Sequence, residues 1–264
     1  MLGLILGDNK FGSQIIKKLR SKKKKFIIIV ISKNKIHKSK NTFTLSIGQL
    51  GKAISILKQN KCKEIIFAGR VLMPNFKNIK FDLKAFYYLP RIIKSSKKGD
   101  TYLIKEMINI FNKEGFKVIN SLKFNQELIT KRKTYTKIKI KKLDKRDIQK
   151  GMKLISLTRN PKTGQAIVIN NGSVFSVEGL LGTDHMLNKL AKKNKKIQRG
   201  VLIKLPKKNQ DLRIDLPTIG FQTVKKSIKI GLKGIAIKAN QSVFLDKKKS
   251  IQLANKHKIF ICGI

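Results

Sequence analysis

Tryptophan is absent from the 264-residue chain, cysteine occurs only twice and proline five times. Cys62 and Cys262 lie far apart in apolar surroundings, which excludes a disulfide framework and a cysteine-built zinc site and suits a reducing compartment. Acid is the scarce charge: 14 Asp plus Glu face 61 Lys plus Arg, a formal net charge of +47. Long apolar runs are missing as well. Phe26 to Ile31, the longest, falls far short of the about 20 residues that span a bilayer, and Met1 to Leu6 is too short, with no basic flank, for a secretory signal. The chain is therefore read as soluble and cytoplasmic. His37, His185 and His257 show no metal-ligand spacing, and there is no H-E-x-x-H, G-x-S-x-G elbow or Walker loop, which disfavours zinc and serine hydrolase chemistry.

Hydrophobic residues make up 41% of the chain, enough for a folded core and too many for a disordered basic tail. The positive charge comes from 53 lysines and only 8 arginines. Bidentate recognition of phosphates and guanines is mostly arginine work. The lysines are spread over nearly the whole chain and no RRM or KH element accompanies them. A basic nucleic-acid-binding protein is thus the alternative reading, set against lysine enrichment as a compositional bias on solvated faces. A dinucleotide-dependent oxidoreductase would need a G-x-G-x-x-G turn with an acid roughly 20 residues on; after Phe26 to Ile31 there are only Ser32 and Lys33.

Periodicity predicts an α/β protein of two domains: a Rossmann-like N-terminal parallel sheet and a C-terminal α/β domain. In the first, Leu2 to Leu6, Phe26 to Ile31 and Glu64 to Ala68 read as buried strands. Ser13 to Arg20, Gly48 to Asn60 and Thr101 to Lys113 read as helices, and Phe116 to Ile119 as a further strand. The boundaries expected are 1–130 for the N-terminal domain, 131–147 for a lysine-rich linker and 148–264 for the C-terminal catalytic domain. There Asn171-Gly172, between Ala166 to Asn170 and Val174 to Glu178, is a strong hairpin signal. Gly200 to Leu205, Gly234 to Ala239 and Ile259 to Cys262 follow as strands, and Thr218 to Gly231 and Ser250 to Lys256 as helices.

With lysine everywhere, the acids are informative, because a hard cation or a transferred proton needs a carboxylate. Glu178, Asp184, Asp211 and Asp215 fall close together in sequence. Asp184 opens a helix, as an anion-site neighbour or a plain N-cap. Read as extended chain, the run Asp211-Leu212-Arg213-Ile214-Asp215 puts Asp211, Arg213 and Asp215 on one face. Two carboxylates there suit Mg²⁺ and the guanidinium suits a phosphate; the plainer reading is a surface ion pair ahead of a helix begun by Pro217-Thr218. Gly7, at the end of the first strand, and Gly69-Arg70, at the end of the third, lie where parallel sheets bind phosphates, or in ordinary strand-end turns. Asp100 either helps to bind ligand or caps its helix. Phe76, Phe81, Phe86, Tyr87, Tyr88 and Leu89 form the densest aromatic stretch, suited to an interface with lipid or to a core.

Several of these motifs occur together in one order. They are Gly48-Gln49-Leu50-Gly51-Lys52, Ala68-Gly69-Arg70-Val71 with Pro74, Gly99-Asp100, Gly164-Gln165-Ala166, Glu178-Gly179, Gly182-Thr183-Asp184, Lys204, and Gln210-Asp211-Leu212-Arg213-Ile214-Asp215-Leu216-Pro217-Thr218-Ile219-Gly220. In this the sequence resembles the UDP-2,3-diacylglucosamine pyrophosphatases of the LpxI type, almost end to end. It departs from them at Gly7-Asp8-Asn9-Lys10-Phe11-Gly12, in place of a glycine-rich turn with Leu-Pro, and at Thr101, where a second acid is expected. The resemblance implies a ligand cleft between the two α/β domains and Mg²⁺-dependent hydrolysis of UDP-2,3-diacylglucosamine to UMP and 2,3-diacylglucosamine 1-phosphate (lipid X) in lipid A biosynthesis, with attack on the sugar-proximal phosphorus. It makes Asp215 the critical acid and Arg213 its catalytic companion. Gly7, Gly69, Arg70, Asp100, Gln165, Thr183, Lys204, Gln210 and Thr218 are expected on the substrate, and Asp215, Asp211 and Asp184 on the metal. Contact with an anionic inner-membrane surface and homo-oligomer formation stay open; no specific nucleic acid is expected as partner.

Overall fold

The computed structural model describes residues 1–7, 10–31, 41–69, 79–158, 163–192 and 200–264. The chain forms two compact units. One comprises Met1–Gln126 together with Asp211–Asp215, the other Glu127–Gln210 and Leu216–Ile264.

The first unit is built on strands β1 (Leu2–Leu6), β2 (Phe26–Val30), β3 (Thr42–Thr44), β4 (Glu64–Ala68) and β5 (Lys117–Val118). They form one sheet in the order β3-β2-β1-β4-β5, with every pair parallel. Parallel sheets carry helices on both faces, which is why β1 and β2 are apolar at consecutive positions rather than alternate ones. The helices are α1 (Lys10–Ser21), α2 (Leu50–Gln59), α3 (Leu83–Lys98) and α4 (Asp100–Lys113). Their inward residues, among them Leu50, Ala53, Ile54 and Leu57 of α2 and Phe111 of α4, close over Ile5, Ile27, Ile29 and Ile65 in one apolar cluster. From β1 the chain steps one way, to β2 and β3, and from β4 the other way, to β5. The β1/β4 pair is therefore the topological switch point of the sheet, where open α/β sheets receive ligands beyond the carboxyl ends.

Helix α3, 16 residues long, is not among the helices that periodicity predicts. Its sequence is apolar around much of its circumference and holds Pro90, which lacks a backbone donor. Asp82 starts it. Its carboxylate accepts from the Ala85 N–H (2.8 Å) as N-cap of α3, and also from the Gly51 and Lys52 N–H groups (3.0 Å each) in the first turn of α2. Gln49, the residue before α2, turns its own side chain back to the Ser46 N–H. One carboxylate thus serves two helix starts. The family-like Gly48 to Lys52 motif owes part of its pattern to this cap, for the Asp82 N–H also donates to the Gly48 carbonyl. At the far end of α4, Glu114 collects Lys58, Lys84 and the Tyr88 hydroxyl. Burial alone would raise its pKa; those three hydrogen bonds outweigh it and hold the carboxyl below its usual range.

The second unit contains α5 (Lys142–Leu157), β6 (Ala166–Asn170), β7 (Ser173–Val177), α6 (Thr183–Lys192), β8 (Val201–Lys204), β9 (Thr218–Ile219), α7 (Phe221–Lys229), β10 (Gly234–Ile237), β11 (Val243–Phe244), α8 (Lys247–Lys256) and β12 (Phe260–Gly263). Its main sheet runs β12-β10-β8-β6-β7. β12, β10 and β8 are parallel, while β6 and β7 are an antiparallel hairpin added to β8. The turn Asn171-Gly172 has positive φ at both residues, as a two-residue hairpin requires. Buried Asp147 of α5 fixes that turn by accepting from both its N–H groups, at 3.1 and 2.6 Å. The lysine-rich segment before α5 is laced to β12: Tyr135 N–H donates to the Ile261 carbonyl, and the Lys133 carbonyl accepts from Gly263 N–H. The helix expected from Thr218 starts only at Phe221, because Thr218 and Ile219 pair in parallel with Val243 and Phe244. Burial pushes the Cys262 thiol up to about 12, which leaves it inert as a nucleophile.

Replacing Asp82 by Ala removes the cap from two helices and should lower stability by about 2 kcal/mol. Asp82→Asn, which keeps an acceptor, should cost less than half as much. Urea denaturation followed by circular dichroism separates these outcomes from a single-cap loss.

Candidate active site

In the first unit, the expected ligand residues gather at the carboxyl edge of the sheet. Gly7 follows β1 and Gly69 follows β4, and the Gly7 N–H donates to the Ala68 carbonyl at 2.9 Å. Gly69 has φ +96°, and a Cβ there would lie 2.6 Å from the Gly7 carbonyl oxygen. Only glycine permits this approach of two backbones at the switch point. Arg70, Asp8 and Phe76 fall outside the described residues. α4 runs back against the strands to enter β5, so its first residue, Asp100, lies toward the same edge; the cap position before it is Gly99.

The Asp211–Asp215 segment belongs to this unit as well. It is a helical turn rather than the extended chain expected. The Asp211 carbonyl accepts from the Ile214 and Asp215 N–H groups at 3.2 and 2.9 Å. Two contacts seat it. The Arg213 carbonyl accepts from the Ser121 N–H at 2.9 Å, just beyond β5, and Ile214 packs against the apolar cluster under the sheet. The turn changes how the side chains meet. Asp211 and Arg213 form a bidentate pair, with Nε to Oδ1 at 3.0 Å and Nη2 to Oδ2 at 2.7 Å, and Asp211 Oδ1 also accepts from the Arg213 N–H. The hydrogen-bonded guanidinium holds the Asp211 carboxyl below the usual carboxylate range, and the charge of Lys105 on α4 adds to this. Lys105 carries no signal in the sequence, being one lysine among many and remote from residue 211.

In the second unit, four expected residues meet where β8 ends. Lys204, the last residue of β8, is buried and its Nζ donates to the Thr218 carbonyl at 2.9 Å. The Gln165 carbonyl accepts from Leu205 N–H, and its side-chain oxygen lies 3.4 Å from Gln210 Nε2. Gln210 in turn accepts from Lys207 N–H through Oε1. Beside them Thr183, at the start of α6, donates its hydroxyl to buried Glu178 at 2.7 Å. Glu178 lies so close over Gly164 that a Cβ at 164 would fall 2.2 Å from its side chain. This glutamate is not among the residues expected on substrate or metal, although its place in the motif after the hairpin marks it. A groove of about 610 Å³ nearby is lined by Met152, Leu205 and Pro206 with Lys153, Lys207, Lys208 and Lys238, an apolar floor under a cationic rim.

Asp184, also expected on the metal, belongs to the second unit. It sits in the first turn of α6 and pairs with Lys226 of α7 at 3.2 Å. Among the described residues, no three Asp, Glu, His or Cys side chains converge as a metal cage.

Residues 1–128 match the LpxI N-terminal domain and residues 131–262 the LpxI C-terminal domain. The UDP-2,3-diacylglucosamine pyrophosphatase LpxI of Caulobacter vibrioides is 31% identical over 226 residues, which are 83% of this chain and 81% of that protein. The chain belongs to the LpxI family. Within this LpxI chain the two sheet edges divide the motif residues. Gly7, Gly69 and Asp100 lie with the Asp211–Asp215 turn in the first unit; Gln165, Glu178, Thr183, Lys204, Gln210 and Thr218 lie in the second.

The sign of the Asp211 shift fixes a pH window. A carboxylate depressed in the folded state adds stability that is present above its unfolded pKa and is lost as pH falls through the lower folded value. The Asp211 side-chain carboxyl carbon, followed by NMR, should therefore titrate below the ordinary aspartate range. In Arg213→Ala the midpoint should move upward, toward that range.

Proposed function

We propose that the chain hydrolyses the phosphoanhydride of UDP-2,3-diacylglucosamine, giving UMP and 2,3-diacylglucosamine 1-phosphate, with Mg²⁺ as cofactor and Asp215 as the indispensable acid. The observation that carries this reading is the likeness over 226 residues to a relative named for that activity. The sheet edges supply the chemistry: a cationic surface for a diphosphate, and acids on one short turn.

The donor set fits a hard cation held mainly by its substrate. Mg²⁺ commonly takes one or two protein carboxylates and completes its octahedron with phosphate oxygens and water, so it needs no all-protein cage. Asp215 and Asp211, one turn apart, are the carboxylates assigned to it. Asp211 engages both oxygens with Arg213, and Asp215, the acid that the family resemblance makes critical, is assigned as the principal ligand in this proposal. When bound, Mg²⁺ supplies charge neutralisation at the diphosphate. Arg213 bonds Asp211 through Nε and Nη2, and its other N–H groups remain to meet a phosphate oxygen. Lys204 offsets negative charge from a buried position where its effect is little screened by water. A water oxygen bonds to the sugar-proximal phosphorus as that phosphorus parts from the bridging oxygen, which leaves with UMP.

UMP release from purified substrate tests this. Asp215→Ala should lower kcat by at least about 100-fold while the urea midpoint stays unchanged; turnover near wild type would remove Asp215 from its role. Chelation by EDTA should abolish turnover and added Mg²⁺ restore it, and activity indifferent to EDTA would exclude the metal. A separate comparison addresses the acyl chains. UDP-glucosamine should show a sharply lower kcat/KM than the diacylated substrate, and equal values would argue against any acyl recognition.

A further inference from the structure

The outer face of α3 is unusual for a surface helix. Leu83 is 92% exposed, Phe86 69% and Tyr87 66%. With Pro90, also exposed, they fall at spacings of three, four and seven residues and so share one side of the helix. The opposite side, Ala85, Tyr88 and Ile92, is packed into the core of the first unit. The helix is thus apolar both inward and outward, and a contiguous exposed apolar patch marks an interaction surface.

The chemistry of the same face identifies the partner. The 16 residues of α3 contain no acid. Its basic residues divide by direction. Lys84 is tied to Glu114 at 2.6 Å and Arg91 to Glu106 at 2.7 Å. Lys94 and Lys97 continue the outward stripe beyond Pro90, both exposed, with Lys98 beside them over the Tyr102 ring at 5.9 Å. Leucine, phenylalanine and tyrosine followed along one line by lysines is the pattern of a helix that lies in the plane of a bilayer interface. The apolar half enters the acyl boundary and the lysines meet anionic head groups. No helix among the described residues is long and apolar enough to cross a membrane, so attachment would be at the surface. A second copy of the chain is a poor occupant by comparison, since it brings the same +47 net charge against the same lysines.

We infer that the outward face of α3, Leu83, Phe86, Tyr87 and Pro90 with Lys94, Lys97 and Lys98, is a docking surface for an anionic lipid bilayer. It stands apart from the proposed reaction, because binding is read without substrate. The chain has no tryptophan, so Tyr87→Trp in the full chain gives a single indole fluorophore on the face. A second variant, Phe175→Trp, places the indole instead on the exposed side of β7.

Vesicles of equal parts phosphatidylglycerol and phosphatidylcholine should shift the emission of the Tyr87→Trp variant to the blue, and brominated lipid should quench it. Pure phosphatidylcholine should do neither, and the Phe175→Trp variant should respond to neither kind of vesicle. Leu83→Ser/Phe86→Ser, which leaves the charge unchanged, should weaken co-sedimentation with the anionic vesicles by about tenfold or more. Lys94→Gln/Lys97→Gln should weaken it most at low salt. The substituted side chains are solvent-facing, and an unchanged urea midpoint establishes that the variants fold. The proposal is overturned if the wild type does not sediment with anionic vesicles, or if the apolar variant sediments as well as the wild type. It is overturned equally if the indole on β7 rather than the one on α3 is quenched, or if ultracentrifugation finds a dimer that the apolar variant abolishes.

Discussion

A hydrogen bond of 2.9 Å from Ser121 N–H to the Arg213 carbonyl, backed by Ile214 in the core beneath, ties a five-residue excursion of the C-terminal half to the N-terminal sheet. Everything proposed about catalysis depends on it. The segment is too short to fold by itself, and its one backbone turn, closed on the Asp211 carbonyl, would be marginal in water. Seated beyond β5, it becomes part of the edge that already holds Gly7 and Gly69. The Asp211–Arg213 pair then acts within a fixed turn rather than between two free side chains, so less side-chain entropy is lost in forming it. Asp215 inherits a defined backbone position from the same bonds.

Where local chemistry decides conformation, the sequence is legible. The continuous apolar runs at Leu2 to Leu6 and Glu64 to Ala68 announce a covered parallel sheet, and Asn171-Gly172 announces its hairpin, because positive φ at two successive residues admits few alternatives. The misreadings share a cause. Asp211 to Asp215 alternates like a strand, but its conformation is set by Ser121, which is remote in sequence, and by the pairing of Asp211 with Arg213. Thr218 and Ile219 look like a helix start after Pro217, yet Val243 and Phe244 supply a strand partner that no local rule contains. α3 is hidden because Pro90 interrupts it as a helix breaker would, and because Leu83, Phe86 and Tyr87 add apolar residues on the side away from the core. Its cap on Asp82 reaches back to Gly51, a contact that spacing cannot suggest. At the candidate site, Gln165, Lys204, Gln210 and Thr218 can be named one by one from the motif order, but their convergence at the end of β8 requires the pairing of β6 with β8.

The scarcity of acid has a structural meaning that differs from the one the sequence first suggests. Against 61 basic residues, a carboxylate is the only side chain that can answer a buried donor with charge, and several of the described acids do so. Asp82 caps two helices, Asp147 holds the hairpin tip, Glu114 gathers two lysines and a tyrosine, and Glu178 takes the Thr183 hydroxyl. These are fasteners, and in a chain so short of them each is hard to replace. Asp215 lies on the turn seated beyond β5, and the role proposed for it rests on that location rather than on the rarity of acid.

The lysine excess works at two ranges. Close in, Lys153, Lys207, Lys208 and Lys238 rim the groove beside Leu205, and Lys204 is buried at the end of β8. Farther out, exposed lysines generate a field that extends about 10 Å at moderate salt and collapses as salt rises. Such a field raises the local concentration of any anion without selecting among them. Selection then has to come from groups with direction, and the eight arginines are too few to provide it broadly. In the proposed readings it falls to the planar guanidinium of Arg213 and, on α3, to apolar side chains that distinguish an anionic membrane from an anion in solution.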